Sequence, residues 1–135
     1  MQDFRPRLTK PRIGSAQVEQ LLAQGQLVKA IRKAKALAVA IPQERIDQVA
    51  QRMLRQHRAS ELLTLIDQAD LRLQYDAVTL LRAALAARDY HGFLKQAHRL
   101  KIKVGLEPEI DQAIAAVRLR APNEAEAWRR KFAEL

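Results

Sequence analysis

Residues 75–109 read YDAVTLLRAALAARDYHGFLKQAHRLKIKVGLEPE. Val78, Leu81, Ala84 and Leu85 recur at the i, i+3, i+4 spacing of one helix face. Asp89 follows where that stripe ends, a residue type suited to accept from the free amides of a new helix. Phe93, Leu94, Ala97 and Leu100 then build a second stripe. Gly105 and Pro108 mark the next stop and start, since Gly closes helices and Pro opens them. The stretch is one helix, a tight turn and a second helix.

Reading outward gives the same unit again. Ser15 opens a helix carrying Val18, Leu21 and Leu22, and Gly25 ends it. Leu27, Ala30, Ile31, Ala34 and Leu37 form the next stripe. Pro42 opens a helix with Ile46, Val49, Ala50, Met53 and Leu54. Ser60 is the expected cap of a helix carrying Leu62, Leu63, Leu65, Ile66 and Ala69. Beyond the opening stretch, Ile110, Ala113, Ile114 and Val117 line another, which Pro122 is expected to end. Asn123 with Glu126 resembles a capping box before Trp128 and Phe132. No segment alternates with period two for long enough to be a strand. The expected fold is all-α, with eight helices joined by short links and therefore antiparallel neighbours.

Pro42, Tyr75 and Pro108 are spaced by 33 residues, each just before a new helix. A period in this range marks stacked helix pairs, because one pair cannot bury its apolar face alone. The reading is a short solenoid-like stack of about four pairs with no β-sheet. It forms a single helical-repeat domain over 15–135, preceded by a basic flexible arm over 1–14.

Residues 75–109 also resemble a pentatricopeptide repeat. Such a repeat opens with an aspartate, a gap and a Val-Thr pair, matched by Asp76, Val78 and Thr79. It closes with an apolar residue, Lys, Gly and Pro-Asp, to which Leu100, Lys101, Gly105, Pro108 and Glu109 are similar. The related tetratricopeptide repeat has the same helix-pair fold, with small residues such as Ala83, Ala84 and Ala97 where helices cross. The first resemblance implies single-stranded RNA binding, one base per repeat; the second implies protein docking and assembly. The family's base-reading position is usually small and polar. Leu80, Leu81 and Arg82 stand in that region here, so no base identity follows.

The 135 residues carry 24 Lys or Arg against 15 Asp or Glu, a formal net charge of +9. The excess is concentrated: residues 1–58 hold 12 cations against 4 anions, and the remainder 12 against 11. Such asymmetry points to an anionic partner for the first half. With no cysteine, disulfides, thiolate metal sites and a Cys nucleophile are excluded. No apolar run approaches the ~18 residues of a membrane span, and no secretory signal is evident, so an intracellular setting is expected. The two serines, Ser15 and Ser60, sit in no nucleophile elbow, and there is no phosphate loop or metalloprotease motif. His91 and His98 share a helix face with Lys95 between them and no third ligand, so no metal or cofactor is expected. The reading is non-enzymatic.

The candidate nucleic-acid contacts are Arg5, Arg7, Lys10 and Arg12 in the arm, then Lys29, Arg32 and Lys33 on one helix, with Lys35 at its edge. Arg45, Arg52 and Arg55 form a stripe on the next. Cations crowded on one face repel one another, and phosphates supply the compensating charge. Aromatics are missing from this half apart from Phe4, so binding would follow backbone rather than bases. Trp128 and Phe132, at i, i+4, are the candidate partner contacts: they anchor the last helix or fill a partner's groove. An acidic protein or a partner helix is the alternative to RNA. Peripheral membrane binding lacks large apolar residues beside the basic stripe.

Overall fold

The computed structural model describes residues 15–68 and 72–135. Among them are eight α-helices and no strand: α1 (Ala16–Ala23), α2 (Leu27–Ala36), α3 (Gln43–Arg55), α4 (Ala59–Leu63), α5 (Ala77–Ala86), α6 (Tyr90–Arg99), α7 (Glu107–Arg118) and α8 (Pro122–Ala133). The protein is all-α. The basic arm lies outside the described residues. The chain divides after Met53 into two compact units.

In the N-terminal unit α1 packs on α2. Val18 and Leu22 of α1, Leu27, Ala30 and Ala34 of α2, and Ile46, Val49, Ala50 and Met53 of α3 are buried. In the C-terminal unit each helix from α4 to α8 packs on the next, and α4 on α6, α5 on α7 and α6 on α8. Contact with the neighbour and the next-but-one is the arrangement of stacked pairs. Its core holds Leu62, Leu63, Leu80, Leu81, Phe93, Leu94, Ile110, Ile114 and Phe132.

Polar bridges repeat the same logic. Arg45 of α3 pairs with Glu19 of α1, and Arg82 of α5 with Glu109 of α7. Ser60 in α4 donates to Asp89, the cap of α6. His91 Nδ1 of α6 lies 3.3 Å from Glu124 Oε2 of α8. Each joins a helix to the one two further on.

Two arginines close helix ends in this way. A helix leaves its last carbonyls without intrahelical donors. Arg52 Nη2 of α3 donates to Leu22 O and Ala23 O at the end of α1, at 2.9 and 3.2 Å. Arg99 of α6 donates to Leu63 O at the end of α4 and pairs with Asp67. Its Nε donates to Gln96 Oε1 at 2.7 Å, and Gln96 is the one buried polar side chain among the described residues.

Several local expectations change. The α4 helix is short, running from Ala59 to Leu63, and single i→i+3 bonds carry the chain on to Gln68. Thr64 Oγ1 donates to Glu61 O, competing with the helical ladder, while Arg99 occupies Leu63 O. Ser60 is inside this helix rather than its cap, and Arg58 holds the cap position. Pro122 opens α8 rather than ending α7, as its fixed φ and missing amide suit the first turn. Ala121 therefore takes the cap position expected of Asn123.

Pro42, Tyr75 and Pro108 do stand at the starts of α3, α5 and α7. Pro42 O accepts from Arg45 and Ile46, Tyr75 precedes the Asp76 cap, and Pro108 lies in the first turn. The turns between helices use left-handed residues at Gly25, Ala38, His57, Arg88 and Lys101. Gly105, between α6 and α7, is a sixth, so glycine fills only two of the six. Paired bonds such as Ile102 N to Ala97 O and Lys101 N to His98 O hold the others, against an αL cost of roughly 1–2 kcal/mol each.

Gly92 is required by packing rather than by turn geometry. Its amide donates to Asp89 Oδ1 at 3.0 Å, and a Cβ there would overlap the Asp89 carboxyl. Gly92→Ala should therefore destabilise the fold despite its better helix propensity. Losing the cap costs about 1–2 kcal/mol and strands Ser60, against about 1 kcal/mol gained. Urea denaturation should show a net loss near 1 kcal/mol.

Asp76 accepts from Thr79 N at 2.8 Å, which holds its carboxyl below the ordinary value of 3.8. A depressed folded-state value means the cap stabilises above the unfolded value and is lost as pH falls through the folded one. Asp76→Ala should lower Tm at neutral pH, with the difference from wild type vanishing on acidification in a melt series.

Candidate nucleic-acid interface

The α2 sequence LVKAIRKAKA has four cations and no anion. Its buried positions, Leu27, Ala30 and Ala34, fix which way the helix faces. Lys29, Arg32 and Lys35 are then exposed and Lys33 half-buried. Lys29 and Lys33 are one turn apart, with Arg32 beside them, so their Cβ atoms lie about 5–6 Å apart. None of the four has an acidic partner among the described residues. Lys33 and Lys35 fall in the last turn, where cations offset the negative end of the helix dipole. Lys29 and Arg32 lie outside that turn and gain nothing from it.

The α3 arginines are placed differently. Arg45 Nη1 donates to Glu19 at 2.7 Å, and Arg52 is committed to the α1 carbonyls. Both are half-buried and hold α3 against α1. Arg55 is exposed at the end of α3 and falls beyond Met53, outside the N-terminal unit. Arg5, Arg7, Lys10 and Arg12 lie outside the described residues. The expected sites thus divide into a free group on α2 and a structural pair on α3. Lys35, taken from sequence only as an edge residue, belongs with the free group.

The C-terminal candidates lie in packing. Phe132 is buried and Trp128 half-buried. Their rings meet at 6.1 Å between centroids, and His98 of α6 stands edge-on to both, at 5.6 Å from Phe132 and 6.3 Å from Trp128. Lys131 Nζ sits 4.6 Å from the Trp128 ring centre. Of the two roles expected from sequence, anchoring the last helix is the one this geometry performs. His91 and His98 serve separate neighbours, Glu124 and the aromatic pair. Among the described residues no group of three His, Asp or Glu could hold a metal ion.

Leu80 and Leu81, in the region where the resembling family reads bases, are fully buried, and Arg82 is paired with Glu109. No helix in the described residues is long and apolar enough to cross a membrane. No protein-family model matches this chain, and neither a curated protein nor a solved structure matches it.

Substitutions should separate the two arginine roles. Arg52→Met removes a charged donor from two carbonyls and should lower stability by about 1–2 kcal/mol. Arg32→Gln should stay within about 0.5 kcal/mol of wild type, as an exposed unpaired position does. Parallel urea melts check both.

Proposed function

We propose that this protein is a non-enzymatic RNA-binding module that uses the α2 face and the basic N-terminal arm to hold phosphates. The observation that carries the reading is the set of four α2 cations without a carboxylate partner. Unrelieved like charge on a ten-residue helix is unfavourable alone, and phosphate relieves it. The charge excess of the first half and the resemblance of residues 75–109 to an RNA-binding repeat point the same way. With Leu80 and Leu81 in the core and no aromatic on α2, the mode of binding is contact with the backbone, independent of sequence. A subunit role within a ribonucleoprotein suits such a module.

The test is fluorescence anisotropy of a labelled single-stranded RNA across a salt series. Each phosphate contact on a single strand contributes about −0.7 to the log–log slope, so the four α2 cations and the four of the arm together should give a slope near −6. Deleting residues 1–14 should reduce it to about −3. Lys29→Glu with Arg32→Glu and Lys33→Glu should weaken binding tenfold or more, with a melt lowered by no more than about 1 kcal/mol from the reversed charge of Lys33 in the last turn. Arg52 is left intact because its loss would loosen α1. Equal binding by wild type and the triple variant would overturn the proposal.

A further inference from the structure

The four cations of α2 do not form a single row. The buried Leu27, Ala30 and Ala34 mark the side of the helix that faces the core. Successive residues turn by about 100°, so Lys29 and Arg32 stand on the far side and form a crown. Lys33 and Lys35 lie about 160° apart, one on each flank of that crown. Ala36 falls between them, exposed and without bulk. Along the axis the set covers about 9 Å.

No carboxylate interrupts this arc. Glu19 is taken by Arg45, and Asp47 accepts from Gln43. Glu44, in the first turn of α3, makes no ion pair with an α2 cation, and no other carboxylate among the described residues does. The two flank residues are also fixed in place. Lys33 O accepts from Leu37 N, Lys35 O from Ala38 N, and Val39 N donates to Ala34 O, which closes the last turn.

This arrangement selects the form of the nucleic acid. A single strand offers one line of phosphates, so to reach both flanks it must wrap over the crown and lose conformational freedom. With side chains an α-helix is about 10–12 Å across, the scale of a groove between two backbones. A duplex already holds two lines of phosphates on either side of a groove, so it meets the crown and both flanks without being reordered. Binding of single strands draws on aromatic stacking, and α2 has no aromatic residue. Duplex RNA is recognised through its shape and its phosphates, which cations alone can contact. We propose that the α2 face binds base-paired RNA, lying across a groove with Lys33 and Lys35 on phosphates of opposite strands. The inference rests on the RNA reading above and names the form of RNA that the face takes.

Fluorescence anisotropy of the full chain tests this with a labelled RNA hairpin and an unstructured RNA strand of equal length, at one salt concentration. The hairpin should bind about tenfold more tightly. A duplex also packs charge more densely, so single substitutions separate geometry from charge density. Lys35→Gln should cost the hairpin about fivefold or more and the strand, which can shift onto Lys29 and Arg32, no more than about twofold. Lys95→Gln removes the same charge from an exposed lysine of the C-terminal unit and should leave the gap between the two RNAs as it is. Lys35 is exposed, and a melt should show its variant folded as wild type is. Equal binding of hairpin and strand, or equal narrowing of the gap by Lys95→Gln, would overturn this inference and leave the RNA reading standing. A DNA hairpin that binds more tightly than the RNA hairpin would also overturn it, since the face would then fit another duplex. Failure of both RNAs to bind would overturn the RNA reading and this inference with it.

Discussion

Short helices leave a large share of their backbone carbonyls open, and in this protein an arginine from the helix two further on closes them. Arg52 does so for α1 and Arg99 for α4. A helix pair has only one apolar interface of its own, so its remaining surface must be covered by the next pair. An arginine spanning that distance fixes both the spacing and the direction of the neighbour. Gln96, buried beneath Arg99, orients its guanidinium toward Leu63. Without Arg52, Ala23 O would lose its donor, and without Arg99, Leu63 O would keep only the bond from Ile66 N, so each arginine ties a helix end to the helix two further on.

The other bridges carry the same constraint in weaker form. Arg45–Glu19 and Arg82–Glu109 are partly exposed, where an ion pair contributes up to about 1 kcal/mol. Ser60–Asp89 is stronger in consequence, because Asp89 also caps α6 and so couples the start of one helix to the body of another. This coupling explains why Gly92 must lack a side chain. The residues in these bridges lie 26 to 36 positions apart, close to the 33-residue spacing of Pro42, Tyr75 and Pro108. Sequence period and bridge length have one cause, the length of a helix pair.

In each unit the packing leaves some side chains unused. On α2 the unused groups are cations, and at the α6–α7 link the aliphatic Val104. The Trp128–Phe132–His98 cluster shows the contrary case. There the aromatic pair, read from sequence as an anchor of the last helix or a filler of a partner's groove, packs against His98 of α6, with Phe132 buried and Trp128 half-buried.

Helical periodicity, the Asp89 cap and the junctions at Pro42, Tyr75 and Pro108, where α3, α5 and α7 start, were legible in the chain, because each acts within a few residues of itself. So was the concentration of charge on α2, which needs only a helix and a list of residues. Which arginines are free was not legible. Arg32 and Arg52 look alike in sequence, each a cation on an amphipathic helix. Only the packing of α3 on α1 places two carbonyls opposite Arg52, while Arg32 has no acidic partner among the described residues. The left-handed turns at Ala38, His57, Arg88 and Lys101 were hidden for a different reason: local propensity favours glycine there, and the backbone bonds at the helix ends hold other residues in that conformation. The chain alone set where helices form and where charge collects, since those depend on near neighbours. The tertiary structure decided which charges bind the protein to itself and which stay unpaired among the described residues, since that depends on what lies across a helix interface.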